Sequence, residues 1–122
     1  MIKKTLVILF IGIFASAIIP SEYEDSQKNT FRNSEPILEP IPNQSIQEDG
    51  TLEYSVIASD PDEDDLTFSV TLDNDTYGEA SFNANNLIIN PMIDFNGDIE
   101  VTVFVSDEEF TVSEIFILTV TP

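Results

Sequence analysis

Cysteine, histidine and tryptophan are all missing from this chain of 122 residues, and only four of its residues are basic. Without cysteine no disulfide can staple the fold, so a sufficient hydrophobic core or a bound metal must hold it. Without histidine and cysteine, Ser-His and Cys-His nucleophiles and histidine-containing zinc sites cannot be assembled. Paired carboxylates can in principle hydrolyse glycosides, but nothing in a small tryptophan-free chain signals a sugar cleft. Asp75-Thr-Tyr also differs from the Asp-Thr-Gly or Asp-Ser-Gly signature of aspartic proteases. The expectation is that the protein is not an enzyme.

The shortage of positive charge is uneven along the chain. Its basic residues are Lys3, Lys4, Lys28 and Arg32, and none lies beyond that point. Twenty of the 23 acidic residues fall from Glu35 onward, in a chain of formal charge −19. Such a surface excludes nucleic acid as a partner, because binding phosphates rests on Lys and Arg. It disfavours docking on anionic lipid and favours cations or saline surroundings that screen self-repulsion.

The first residues stand apart from the rest. Met1-Ile-Lys-Lys4 is a cationic start, Leu6 to Ile19 is uncharged and almost wholly apolar, and Ala15-Ser-Ala17 offers a small-residue cleavage site. This is the layout of a cleavable secretory signal peptide over residues 1–17. Fourteen apolar residues rise only about 21 Å as a helix, short of a hydrocarbon core of about 30 Å, so a membrane anchor is the weaker reading. The expected product is secreted or displayed at the cell surface, with no membrane span after cleavage. Residues 18–35 are mostly polar and without period, which reads as a flexible linker.

From residue 36 to 122 the pattern is that of strands. Pro36 to Ile41 suits an edge strand, and Thr51 to Ala58 alternates through Leu52, Tyr54, Val56 and Ala58. Leu66 to Leu72, Ala80 to Asn83, Leu87 to Ile89, Ile99 to Val105 and Phe110 to Val120 follow, separated by clusters of Asp, Asn, Ser and Gly. Period-two patterning with frequent turns predicts an all-β fold, a seven-stranded immunoglobulin-like β-sandwich. Tyr54, Phe68, Phe82 and Phe116 are the expected filling between its sheets, and Phe95 is expected to tuck into the core. Tyr77 is the one aromatic expected on an exposed loop.

Five carboxylates crowd into Asp60-Pro-Asp-Glu-Asp-Asp65 immediately before a strand. Asp60, Asp62 and Asp64 occupy alternate positions, which lets their side chains converge as the backbone turns. Calcium takes six to eight such oxygen ligands. An EF-hand is excluded: counting from Asp60, position six is Asp65 instead of Gly and position twelve is Thr71 instead of Glu. Glu63 and Asp65 are out of step and read as solvated. Asp73, Asp75, Glu108 and Glu109 read as surface charge.

Pro36-Ile-Leu-Glu-Pro-Ile-Pro, Glu48-Asp-Gly50, Asp60-Pro-Asp-Glu-Asp-Asp-Leu-Thr-Phe68, Asn90-Pro-Met-Ile-Asp-Phe-Asn-Gly97 and Val101-Thr-Val-Phe-Val-Ser-Asp107 occur in that order. Together they resemble the bacterial cadherin-like repeats of exported surface proteins, over roughly residues 33 to 122. The resemblance implies a cadherin-like sandwich that binds Ca2+ through loop carboxylates. It implies Glu48, with Asp49 beside it, as the early acidic ligand, and Asp60 and Asp62, with Asp64 as a further candidate, as the Asp-x-Asp loop. Asp107 corresponds to the Asp after the sixth strand, and Asp94 to a looser acidic position. Asp60, Asp62 and Asp107 are expected at one end of the sandwich, Glu48 and Asp94 at the other. Cadherin calcium sits between consecutive repeats, so a single repeat is expected to supply only part of each site. The resemblance implies an adhesion or recognition module whose partner is a surface protein or glycan. The alternative is a structural spacer, or a fragment of a longer multi-repeat adhesin, with no ligand of its own.

Overall fold

A computed structural model of the protein describes residues 32–122. The expected signal peptide and almost all of the expected linker lie outside the described residues. A compact unit spans Ser34–Pro122. Nine strands make it up: β1 (Ile37–Leu38), β2 (Gln44–Gln47), β3 (Leu52–Ser55), β4 (Ala58–Ser59), β5 (Thr67–Leu72), β6 (Gly78–Asn83), β7 (Asn86–Pro91), β8 (Gly97–Ser106) and β9 (Thr111–Thr121). Among the described residues the only helical element is a 3-10 turn at Asp75–Tyr77, capped by the Asn74 side chain, and no helix is long and apolar enough to cross a membrane.

One sheet runs β2-β9-β8-β5 and the other β3-β7-β6, with a short β1-β4 pair beside them. All pairings are antiparallel except β2 with β9, which is parallel. Seven strands were expected from the pattern; one of those spans divides, and one further strand, β2, lies outside all of them. The Pro36 to Ile41 segment contributes only Ile37–Leu38, and the chain then crosses to the other sheet and forms β2. Pro40 and Pro42 lie at that crossing; proline cannot donate to a ladder, so the strand breaks there. The Thr51 to Ala58 segment separates into β3 and β4 because the Val56 N–H turns aside to donate to the Asn85 carbonyl (2.9 Å).

Strict alternation makes β8 and β9 the spine. Ile99, Val101, Val103 and Val105 face Phe116, Leu118 and Val120, all buried, and Leu87 and Ile89 of β7 close over them. Each such side chain taken from water stabilises the fold by about 1.5–3 kcal/mol. The core is therefore mainly aliphatic. Of the aromatics expected to fill it only Phe116 is fully buried; Tyr54, Phe68, Phe82 and Phe95 are half-buried and pack against its margin. Phe68 and Phe82, with ring centroids 5.3 Å apart, close one end of the seam between β5 and β6. Gly78 begins β6 because a Cβ there would stand 2.5 Å from the Asn90 carbonyl oxygen and 2.6 Å from Pro91 Cα. No side chain fits that approach of two strands.

Candidate metal centre

The ten residues of β8 set two poles of the sandwich about 30 Å apart. At the first pole are the β4–β5 loop and the β8–β9 turn. At the second are the β2–β3 turn and the β7–β8 loop. The expected division of the acidic residues between two ends is the one observed.

The first pole is built by Asp60. Its Oδ1 accepts hydrogen bonds from the backbone N–H of Asp62 (2.8 Å) and of Asp64 (3.3 Å), which winds the loop around it. The Asp60 carbonyl accepts from the Glu63 N–H (3.0 Å), and Glu63 takes a positive φ of 63° to complete the turn. The result is a carboxylate oxygen from each of Asp60, Asp62 and Asp64, all within 4.8 Å of one another. The second Asp60 oxygen, Oδ2, is buried with no hydrogen-bond partner. An unsatisfied buried acceptor costs about 1–3 kcal/mol, and a cation would satisfy it. Asp62 Oδ2 also accepts from the Ser34 N–H (2.7 Å), tying the entering chain to the loop.

Asp107 belongs to the same pole but is held differently. It is buried, and its Oδ1 accepts from the N–H groups of Glu109 (2.8 Å) and Phe110 (2.6 Å), while its own N–H donates to the Phe110 carbonyl (3.1 Å). Its carboxylate therefore closes the β8–β9 hairpin and stands outside the three-residue group. Its charge still reaches that group: the exposed Asp64 carboxyl is held above its ordinary value of 3.8, first by desolvation and then by the charges of Asp60, Asp62, Asp107 and Asp65. Negative charges gathered with no basic side chain among them resist further ionisation.

At the second pole Glu48, Asp49 and Asp94 again offer oxygens within 4.8 Å of one another. The chain brings them together from 45 residues apart: the Asp94 N–H donates to Asp49 Oδ1 (2.9 Å). Glu48 is placed by its N–H, which extends the parallel ladder to the Thr121 carbonyl (2.7 Å). Asp49 and Asp94 both take left-handed φ, 65° and 61°, a region that Asp tolerates better than most residues. Asp94 lies within the turn closed by the Phe95 N–H to the Met92 carbonyl (3.0 Å), and its own N–H also bridges this loop to the β2–β3 turn. Tyr77 is not a free loop aromatic: its ring packs on Phe95 with centroids 4.7 Å apart, beside this pole.

A family model described as bacterial Ig domain matches residues 33–120. The chain belongs to the bacterial Ig domain family. No curated protein matches the sequence. Among solved structures, the bacterial Ig domain resembles human protocadherin-24 EC1-2, with a TM-score of 0.58 and 18% identity over 73% of this chain and 44% of that one. Titin domain M7 gives a TM-score of 0.55 and 15% identity, covering 75% of this chain and 98% of the titin domain. A SusE-like surface located polysaccharide binding protein from Bacteroides thetaiotaomicron gives 0.53 and 16%, over 72% of this chain and 15% of that one. This bacterial Ig domain spans less than half of the protocadherin fragment, and at these identities the likeness concerns the fold, that of a cadherin-like, Ig-like sandwich.

Proposed function

We propose that this protein is a calcium-binding, cadherin-like module of an exported surface protein, and that the ion organises the acidic loops where the module meets its neighbours. The carrying observation is the orphaned Asp60 Oδ2 inside a ring of three carboxylates. The residues fit a hard cation: they supply only oxygen, carry charge of one sign, and already converge. Asp60, Asp62 and Asp64 would hold it, and the Glu48, Asp49 and Asp94 group would offer a second position. Bound calcium supplies the positive charge that this pole lacks. Asp60 shapes the loop through its two backbone hydrogen bonds, and Asp62 couples the loop to the chain entering at Ser34.

Adhesion through an aromatic loop is the less favoured form of this reading, since Tyr77 stacks on Phe95. A module that stiffens a longer surface protein agrees better with the packed Tyr77–Phe95 pair and the acidic poles. Ser-His and Cys-His nucleophiles are excluded, there being no His or Cys in the chain. Export rests on the signal-like start of the sequence and on the character of the family.

Thermal melts with calcium and with chelator test the proposal. Calcium at a hundred times its Kd adds about 2.7 kcal/mol, a rise in Tm of about 11–22 °C for a domain this small. Asp60→Asn together with Asp62→Asn removes the rise. Melts that superimpose at millimolar calcium would remove the ion from the account and leave the fold untouched.

A further inference from the structure

Among the strands at sheet edges, β5 differs from the others in having nothing to protect it. β2 is four residues long and follows two prolines, β3 carries Glu53, β6 carries Glu79 and begins at Gly78, and β1 and β4 are two residues each. Short strands, prolines and charges are how proteins keep an edge from pairing with other chains. β5, Thr-Phe-Ser-Val-Thr-Leu, has none of these, and it pairs with β8 in unbroken register from Thr67↔Ser106 to Leu72↔Val101.

The phase of that ladder is fixed by the Asp73 N–H, which donates to the Glu100 carbonyl (3.0 Å) in the same register. Hydrogen-bonded pairs alternate in an antiparallel ladder. Thr67, Ser69 and Thr71 therefore direct their backbone groups at β8, and Phe68, Val70 and Leu72 direct three N–H and three C=O groups away from the sheet. No hydrogen bond from another described residue meets those groups. Alongside them runs an open groove of about 370 Å³ between β5 and β6, with Val70, Leu72 and Ala80 on its floor and Asp75 and Glu79 on its rim.

We infer that β5 is a strand-addition site that takes an extended segment of a partner polypeptide carrying Lys or Arg among small and apolar residues. Main-chain hydrogen bonds along a free edge give such a contact its affinity, and alternate side chains entering a groove give it selectivity. Charge chooses the partner. Asp64 and Asp65 precede the strand and Asp73, Asp75 and Glu79 follow it, so both ends of the edge attract cationic side chains. A second copy of this chain is disfavoured for the same reason. Antiparallel pairing of two β5 strands sets Asp64 and Asp65 of one copy against Asp73 and Asp75 of the other. The inference is independent of calcium and uses a different face of the domain.

The test is amide hydrogen exchange, followed residue by residue in the full chain with chelator present. The probe is the blocked hexapeptide Lys-Val-Thr-Val-Thr-Lys, compared with its counterpart carrying Glu at both ends. The lysine peptide is expected to slow exchange at Phe68, Val70 and Leu72 about tenfold, the glutamate peptide to leave it unchanged, and Glu79→Lys to weaken the effect without altering the melt. Equal protection by both peptides would overturn the charge argument. Binding that leaves those three amides unprotected would overturn the site. Protection that grows with protein concentration alone would assign the edge to a second copy and overturn the proposed partner.

Discussion

The two poles of the sandwich hold their carboxylates by different means. At the first, Asp60 gathers the N–H groups of Asp62 and Asp64 from its own loop, so five consecutive residues shape themselves. At the second, Asp49 and Asp94 meet through a single bond between loops 45 residues apart in sequence. The first arrangement is a property of local chain geometry. The second exists only once the sheets are packed. On the proposed reading, an ion at the first pole would find a site shaped by its own loop, whereas an ion at the second would be coupled to folding of the whole domain.

Substitutions can break this contrast, and the largest effect belongs to neither pole. Phe116→Ala empties the centre of the core and is expected to cost about 3–5 kcal/mol, equally with calcium and with chelator. Chemical denaturation under both conditions reads this directly, and a calcium-dependent cost would mean that the poles and the core are not separable. Next is Asp60→Ala, which removes two charge-assisted hydrogen bonds and is expected to cost about 2 kcal/mol in chelator, together with the whole calcium-dependent gain. Asp49→Ala breaks only the bond to the Asp94 N–H and is expected to cost about 1 kcal/mol. Most of the calcium gain should survive it. If the two alanine variants behaved alike in calorimetric melts, the poles would be equivalent after all.

The smallest effect is one of sign. Asp64 has a carboxyl whose proton affinity is raised in the folded state. Folding therefore favours its protonated form, a contribution present below the unfolded value near 3.8 and lost as pH rises through the higher folded value. Asp64→Asn is thus expected to raise Tm slightly at pH 7 in chelator, with the gain shrinking as pH falls toward 4. In calcium the same substitution is expected to lower Tm. A gain of the same sign under both conditions would mean that Asp64 does not face the ion.

Much of the fold was legible because apolar residues at every second position leave few options for Ile99 to Val105 or Leu66 to Leu72. Where expectation and structure part, tertiary context decides. Gln44–Gln47 carries one apolar residue and no alternation, and it is a strand only because β9 offers it a parallel edge. The aromatics looked like core by size, but the narrow space between β7, β8 and β9 is filled by branched aliphatics, which leaves most rings at the margin. The convergence of Asp60, Asp62 and Asp64 could be read from their spacing. Grouping Glu48 with Asp94 came from family resemblance, and no local pattern announces it. The burial of Asp107 was not legible at all, since Ser-Asp-Glu-Glu reads as a solvated turn until the hairpin closes around its carboxylate. The free edge of β5 likewise appears only when strand order is known.

The central claim is that the Asp60 loop is a cation site, and a calorimetric calcium titration tests it most directly. The protein is predicted to bind calcium saturably, with Asp60→Asn plus Asp62→Asn abolishing the tightest phase and Glu48→Gln plus Asp94→Asn leaving it in place. Retention of that phase in the first double variant, or its loss in the second alone, would contradict the account.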